Sequence, residues 1–242
     1  MKDYFNFIYM EKQNFIFAYN PKVACTNWKS IMRYLNGGDD YLSAALAHDR
    51  TRSGLTFLSE IGEPLKYLQD PKVPKYAFVR NPYSRVLSAY LNKIEPYVLG
   101  SRGAGDDNTY FYKVFCEIDN YRLENLIEIQ KVNFYCFLSW LANVENFHTA
   151  NEHWRPQVEL LRVKDVDFDF VGKLENIIQD APELLNKMGC DITFPSQKDV
   201  RFAPTKANEK LDNYYKKQER QLVEMIYQED FVFFSYDKRG EE

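Results

Sequence analysis

The sequence lacks the features by which membrane, secreted and zinc-binding proteins are most easily recognised. No apolar run approaches the roughly 20 residues that cross a bilayer, and the N-terminus has no basic-then-apolar signal pattern. The four cysteines are scattered without a CxxC pair, so they predict reduced thiols and neither a zinc site nor a disulfide framework. We therefore expect a soluble cytoplasmic protein that does not bind membranes.

An excess of basic residues is also missing. The chain has 31 Lys and Arg against 35 Asp and Glu, a net charge of -4, and so predicts no nucleic-acid partner. It contains no GxxxxGKS or GxxxxGKT phosphate loop and no GxGxxG dinucleotide fingerprint. These absences argue against nucleoside-triphosphate and dinucleotide enzymes. Internal repeats and low-complexity segments are absent as well.

The pattern that is present indicates one α/β domain over residues 1–242. Strand-like runs lie at 14–19, 75–80, 166–171 and 230–236, and the first three are followed by helical patterns. Longer helices are predicted over 121–142 and 208–228, with a glycine-rich loop at 99–108. This alternation predicts a central parallel sheet flanked by helices, which binds its ligand at the carboxyl ends of the strands.

The segment NPKVACTNWK (20–29) lies where the first predicted strand ends and a helix begins. Apolar residues spaced three and four apart after Cys25 predict that helix. The unpaired N–H groups at a helix N-terminus bind anions, and Lys22 adds a full positive charge. The segment therefore predicts an anion site, with a solvated loop lysine as the alternative.

The segment FVRNPYSRVLSAY (78–90) repeats this arrangement at the next predicted strand. Arg80 follows the strand, Pro82 lies near the first helical turn, and Ser88 comes eight residues after Arg80. Two cationic strand ends predict a ligand that carries two separate phosphate-like groups.

These two segments resemble the donor-binding motifs of carbohydrate sulfotransferases of the HNK-1 and chondroitin 4-O-sulfotransferase type. PKVACTNWK (21–29) resembles their 5′-phosphosulfate motif, usually PKVGCTNWK, and FVRNPYSRVLSAYLNK (78–93) resembles their 3′-phosphate motif, commonly FVRDPFxRLVSAYxxK. The segments at 153–175, which begins HWRPQ and ends GKLE, and at 227–236 match as well. The resemblance implies a P-loop-like sulfotransferase fold, 3′-phosphoadenosine-5′-phosphosulfate (PAPS) as donor, phosphoadenosine phosphate (PAP) as product, and no metal.

The resemblance also implies roles for individual residues. The 5′-phosphosulfate would be bound by Lys22, Val23, Ala24, Cys25, Thr26, Asn27 and Trp28. Lys22 would stabilise charge on the leaving phosphate oxygen, while the N–H groups of residues 24–27 and the Thr26 hydroxyl hold the phosphate. Arg80 and Ser88 would hold the 3′-phosphate. Trp28 either stacks on adenine or packs in the core.

A late basic segment, RFAPTKANEK (201–210), offers two further donor contacts, Arg201 and Lys206. Related enzymes close a basic loop over the donor, and the alternative is a solvated loop before a helix. The chain departs from the family pattern at Ala24, usually Gly, at Asn81, usually Asp, and in lacking the family's LCxPC cysteines. The missing cysteines and the early first strand lead us to expect a stand-alone cytoplasmic enzyme of bacterial type.

A transfer to a hydroxyl also needs a general base. His48 lies between the two phosphate motifs, where the family places a histidine beside the acceptor, and is the first candidate. His153 of HWRPQ is the alternative base, or a packing or acceptor-binding residue. Glu175 is a weaker candidate, and His148 has no supporting context.

The acceptor is expected to be a hydroxyl of a small glycan or polar natural product, neutral or cationic, because the charge balance does not favour a polyanion. Two other functions remain open from the sequence. One is a nucleotide kinase-like phosphoryl transferase, and the other is a non-catalytic PAP binder.

Overall fold

The structure is a computed structural model, and it describes residues 4–105, 109–125, 127, 130–143, 150–196, 198–200 and 205–238. The chain divides into two compact units. The first comprises Met1–Arg80 with Gln157–Pro204, and the second comprises Asn81–Pro156 with Thr205–Glu242. The single sulfotransferase domain over 1–242 stays a prediction.

The helices and strands alternate along the chain. In order they are β1 (Phe7–Met10), β2 (Phe15–Ala18), α1 (Cys25–Leu35), α2 (Ala44–His48), β3 (Thr56–Phe57), α3 (Pro64–Gln69), β4 (Lys75–Val79), α4 (Pro82–Lys93), α5 (Glu95–Val98), α6 (Thr109–Glu124), α7 (Phe134–Ala142), α8 (Gln157–Leu161), β5 (Phe170–Lys173), α9 (Ile177–Lys187), α10 (Ala207–Tyr214), α11 (Lys217–Ile226) and α12 (Gln228–Phe233). Short 3-10 turns occur at Leu58–Glu60 and Leu174–Asn176.

The first unit contains a five-stranded sheet in the order β3-β1-β2-β4-β5. The strands β2, β4 and β5 are parallel, which confirms the predicted parallel sheet for these three. The sequence did not predict β1 and β3, and β1 is antiparallel to both β2 and β3. Only residues 11–14 connect β1 to β2, a link too short for the crossover that parallel strands require.

The predicted strand at 230–236 is wrong, because this segment forms α12 and a turn. Phe231 and Phe234 are buried, whereas Val232 and Phe233 between them are 71% and 56% exposed. Buried residues three apart match a helix, and a half-buried strand would bury every second residue. The predicted helix over 121–142 is two helices, α6 and α7, and that over 208–228 is divided at Tyr215 between α10 and α11.

Each unit has its own apolar core. In the first unit, α1 and α9 pack against the sheet around Phe17 and Phe78. Gly172 of β5 pairs with Phe78 of β4, and a Cβ at Gly172 would lie 2.3 Å from the Phe78 ring. This explains the glycine of GKLE, because a side chain there would displace the ring. In the second unit, the core contains aromatic residues of α4, α6 and α7 together with Val223 of α11.

None of the helices in the described part of the chain combines the length and the hydropathy needed to cross a membrane.

Candidate functional site

The turn between β2 and α1 has the geometry of an anion site. Lys22 and Ala24 both adopt left-handed backbone conformations, with φ of 69° and 50°. The first bond of the helix runs from the Trp28 N–H to the Ala24 carbonyl, at 3.1 Å. The N–H groups of residues 25–27 precede this bond and lie at the positive end of the helix dipole. Lys22, which is half-buried, adds its charge to the same turn.

Side-chain amides hold this turn and the start of α1 in place. Asn20 Nδ2 donates to the Phe78 carbonyl at 2.7 Å, which ties the turn to β4. Asn27 Nδ2 donates to the Pro195 carbonyl at 2.8 Å, which ties the first turn of α1 to the segment after α9. Both amides are buried, so the anion site is built on rigid elements.

The structure places the Trp28 ring in the core. Its side chain is 0% exposed, and its ring centroid lies 4.5 Å from that of Phe78 and 4.6 Å from that of Phe194. A fully enclosed indole presents no face on which adenine can stack. The Trp28 side chain therefore does not line the anion site, because it lies on the face of α1 that packs against the sheet.

The structure brings Arg80 to Lys22. The strands β2 and β4 are parallel neighbours, so their carboxyl ends meet at one edge of the sheet. Arg80 Nη1 donates to the Lys22 carbonyl at 3.1 Å, and the arginine is 8% exposed. The two cationic strand ends that the sequence predicts as phosphate-binding are thus adjacent.

Sequence reasoning missed Gln157, the first residue of α8 and the last letter of HWRPQ. The Arg80 N–H donates to Gln157 Oε1 at 2.9 Å, and Gln157 Nε2 donates to the Arg80 carbonyl at 2.8 Å. The resemblance at HWRPQ was the only signal for this residue, and it did not indicate the contact.

His48, the candidate base, lies beside the anion site. A hydrogen bond of 2.9 Å joins His48 Nε2 and Thr26 Oγ1, where Thr26 is in the first turn of α1. Arg33 of α1 fixes the segment that carries α2, because its guanidinium donates to the Asp40 carbonyl at 2.8 Å and to the Ser53 carbonyl at 3.1 Å. The His48 side chain is exposed, as a base that meets an acceptor must be.

The second unit holds Ser88, Lys206 and His153. Ser88 of α4 is buried, and its hydroxyl lies 2.9 Å from the Thr205 hydroxyl. Lys206 immediately precedes α10 with φ of 52°, and its side chain is 61% exposed. His153 Nδ1 lies 2.7 Å from Asn151 Oδ1. The hydroxyl of Thr205 was not predicted from the sequence.

Three candidates remain, namely Glu175, Arg201 and His148. Glu175 is exposed in the turn after β5. Arg201 and His148 lie outside the described residues.

The structure shows the local role of two residues that depart from the family pattern, Ala24 and Asn81. Ala24 lies at φ 50°, a conformation that glycine adopts without strain, which explains why glycine is usual there. Asn81 Oδ1 accepts the Tyr83 N–H at 3.0 Å and caps α4, a role that asparagine and aspartate fill equally well.

The second arginine of the 78–93 segment has a structural role. Arg85 is 1% exposed and donates to the backbone carbonyls of Arg155 and Glu152 at 2.7 and 3.0 Å. The Tyr227 hydroxyl donates to the Trp154 carbonyl at 2.6 Å. Burial raises the pKa of Tyr227, so the hydroxyl stays protonated and keeps donating. Both side chains fix the backbone of the HWRPQ segment.

Comparison with known proteins gives one family. The model of the Sulfotransferase family matches residues 5–237. Carbohydrate sulfotransferase 12 of Mus musculus is 31% identical over 94% of this chain and 59% of its own length. Carbohydrate sulfotransferase 14 of Homo sapiens is 35% identical over 72% of this chain and 44% of its own length. No solved structure gives a significant match.

The chain thus spans between about two fifths and three fifths of the length of these two relatives. The family model, in contrast, covers nearly the whole chain and includes both predicted phosphate-binding segments, the HWRPQ segment and α12. On this match, the chain belongs to the Sulfotransferase family.

Proposed function

We propose that this chain transfers the sulfuryl group of PAPS to a hydroxyl of a glycan or a related polar acceptor. The observation that carries the proposal is the convergence of Lys22, Arg80, Thr26 and His48 at one edge of the sheet. The motif resemblance assigns the donor phosphates and the base to these four residues, and they come from three separate segments of the chain, because Lys22 and Thr26 lie in the same motif.

The 5′-phosphosulfate would bind at the start of α1. The N–H groups of residues 25–27 and the Thr26 hydroxyl would donate to the phosphate oxygens, and Lys22 would face the oxygen that bridges phosphorus and sulfur. In the reaction this bridging S–O bond breaks, a new S–O bond forms to the acceptor oxygen, and PAP leaves with the negative charge. The charge grows in the transition state, so Lys22 stabilises the transition state more than the ground state.

His48 would remove the proton of the acceptor hydroxyl as the new bond forms. In the structure its Nε2 is engaged with Thr26 Oγ1 at 2.9 Å. When Thr26 donates its hydroxyl to the 5′-phosphate, Nε2 can accept the acceptor proton instead. Donor binding would thereby prepare the base.

The 3′-phosphate would bind to the guanidinium of Arg80, whose planar set of donors suits phosphate oxygens. The resemblance also assigns Ser88 to this phosphate, and Ser88→Ala tests that assignment by itself. A donor without the 3′-phosphate should therefore bind more weakly.

The acceptor class follows from the relatives, which are named as carbohydrate sulfotransferases. Within that class we propose a neutral or cationic acceptor, since 31 basic residues against 35 acidic ones do not provide a broad basic groove for a polyanion. A screen of neutral sugars, sulfated polysaccharides and hydroxylated small molecules with PAPS tests this choice. Activity confined to polyanionic chains would contradict it.

The decisive experiment compares Lys22→Met with Lys12→Met. Methionine keeps the length of the side chain and removes its charge, and Lys12 is an exposed lysine in the β1–β2 connection of the same unit. With PAPS and an active acceptor, we expect kcat to fall by roughly 100- to 1,000-fold in Lys22→Met while PAP affinity falls only modestly. Lys12→Met should behave as the parent. Unchanged turnover in Lys22→Met would indicate that Lys22 is a solvated loop residue with no role in catalysis.

The two other functions are less well supported. A phosphoryl transferase is not favoured, because the chain belongs to the Sulfotransferase family and has no GxxxxGKS or GxxxxGKT loop. A non-catalytic PAP binder would need Arg80 but neither Lys22 nor His48, so turnover on any acceptor eliminates it. The cytoplasmic location and the absence of a metal requirement stay predictions.

A further inference from the structure

Gln157 makes an unusual pair of contacts in the first unit. It is 0% exposed, and its side-chain amide makes two hydrogen bonds to the backbone of one residue, Arg80. Gln157 Oε1 accepts the Arg80 N–H at 2.9 Å, and Gln157 Nε2 donates to the Arg80 carbonyl at 2.8 Å. Both polar atoms of the amide are thereby used.

The position of Arg80 explains why such a pair is needed. The pairing of β4 with β5 ends at Val79 and Lys173, so Arg80 is the first residue beyond it. A buried N–H and carbonyl at that point need partners. The Gln157 amide supplies both, as a neighbouring strand would, and so restricts the φ and ψ angles of Arg80. These angles set the direction in which the arginine side chain leaves the backbone.

The restricted side chain reaches the anion site. Arg80 Nη1 donates to the carbonyl of Lys22 at 3.1 Å. A continuous hydrogen-bonded path therefore runs from Gln157 through Arg80 to Lys22. The rest of α8 buries apolar side chains, namely Val158, Leu160 and Leu161, so an apolar residue would also suit position 157. Because an amide is costly to bury unless both its polar atoms are paired, its presence is explained by the contacts with Arg80.

We propose that Gln157 is a positioning residue that holds Arg80 in the orientation that recognises the 3′-phosphate of the donor. Gln157 is fully buried, and it would act through its two hydrogen bonds to Arg80. The inference rests on the proposed function, because it assumes that Arg80 meets the 3′-phosphate. It adds that the preference for a 3′-phosphorylated nucleotide depends on the HWRPQ segment, which the donor motifs do not include.

Two substitutions at Gln157 test this role. Gln157→Met keeps a similar volume and removes both hydrogen bonds. Gln157→Glu keeps an acceptor for the Arg80 N–H and loses the donor to the Arg80 carbonyl. The matched control is Asn6→Leu, because Asn6 is 1% exposed and its Nδ2 donates at 3.1 Å to the carbonyls of Tyr19 and of Leu160 in α8. The control removes buried amide contacts to the same helix without touching Arg80.

The measurement is the affinity of each variant for PAP and for AMP by calorimetry, without an acceptor. We expect Gln157→Met to lose at least about tenfold in PAP affinity while AMP affinity stays within about twofold, since a charged hydrogen bond to the 3′-phosphate is misaligned. Gln157→Glu should lose part of the same preference. Asn6→Leu should lower the melting temperature and keep the ratio of the two affinities. In an Arg80→Met background, Gln157→Met should not change the ratio further.

Three results would overturn the inference. In the first, the ratio of PAP affinity to AMP affinity stays at the parent value in Gln157→Met and Gln157→Glu. In the second, this ratio falls as far in Asn6→Leu as in Gln157→Met, which would indicate a general loosening of the unit. A parent protein that binds PAP and AMP equally well would refute the donor assignment, and the inference with it. A parent that discriminates, together with Gln157 variants that discriminate as well, would refute the inference alone.

Discussion

Replacing Ala24 with glycine tests the backbone geometry of the anion site. Ala24 has φ of 50°, where an L side chain crowds the following carbonyl at a cost of about 1–2 kcal/mol. Glycine removes this strain. It lowers the free energy of unfolding by about 0.5–1 kcal/mol, because the unfolded chain has more conformational freedom with glycine. The lost half-buried methyl group lowers it by about 0.4 kcal/mol more. These terms leave a gain of roughly 0.4 kcal/mol in the free energy of unfolding.

The same substitution in an ordinary helix should have the opposite sign. Ala89 lies inside α4 and is 0% exposed. Ala89→Gly should lose about 1 kcal/mol of helix propensity and about 0.8 kcal/mol from the buried methyl group. We therefore expect the two variants to differ by about 2 kcal/mol, with Ala24→Gly at or above the stability of the parent.

Equilibrium unfolding in urea measures this difference, with the slope of the transition checked for constancy across the variants. Ala24→Val extends the series, because a β-branched residue at positive φ is strongly disfavoured and should lower stability below the parent. If Ala24→Gly lost as much stability as Ala89→Gly, position 24 would not be strained. The left-handed turn that places Lys22 before α1 would then be refuted.

Three further predictions concern the site. His48→Asn should reduce sulfuryl transfer by about 100- to 10,000-fold and leave PAP affinity within about twofold of the parent. His153→Asn should retain transfer, and the opposite result in the same assay would identify His153 as the base. Thr26→Val should weaken PAP binding several-fold in calorimetry, because the hydroxyl that contacts His48 at 2.9 Å is also the proposed phosphate donor; unchanged affinity would remove it from the donor site. Trp28→Phe should cost about 1–3 kcal/mol of stability in urea and leave PAP affinity unchanged, since the indole is enclosed in the core; a joint loss of PAP and AMP affinity would favour adenine stacking.

The sequence alone determined the elements whose pattern is local. The apolar spacing after Cys25 and after Arg80 placed α1 and α4, and the apolar runs before them placed β2 and β4. A helix places residues three and four positions apart on one face, so its apolar pattern can be recognised within about a dozen residues. The position of Lys22 between a strand and a helix follows from that signature.

The tertiary structure decided what no local pattern encodes. The direction of β1 and the helical state of α12 depend on which neighbours each segment meets, because short apolar runs suit a strand or a helix equally well. The hydrogen bond between Thr26 and His48 joins residues 22 positions apart, and that between Gln157 and Arg80 joins residues 77 positions apart. No local pattern brings residues so far apart in the chain together. The sequence could therefore predict Thr26, His48 and Arg80 as candidates, while only the tertiary structure decided which residues are in contact.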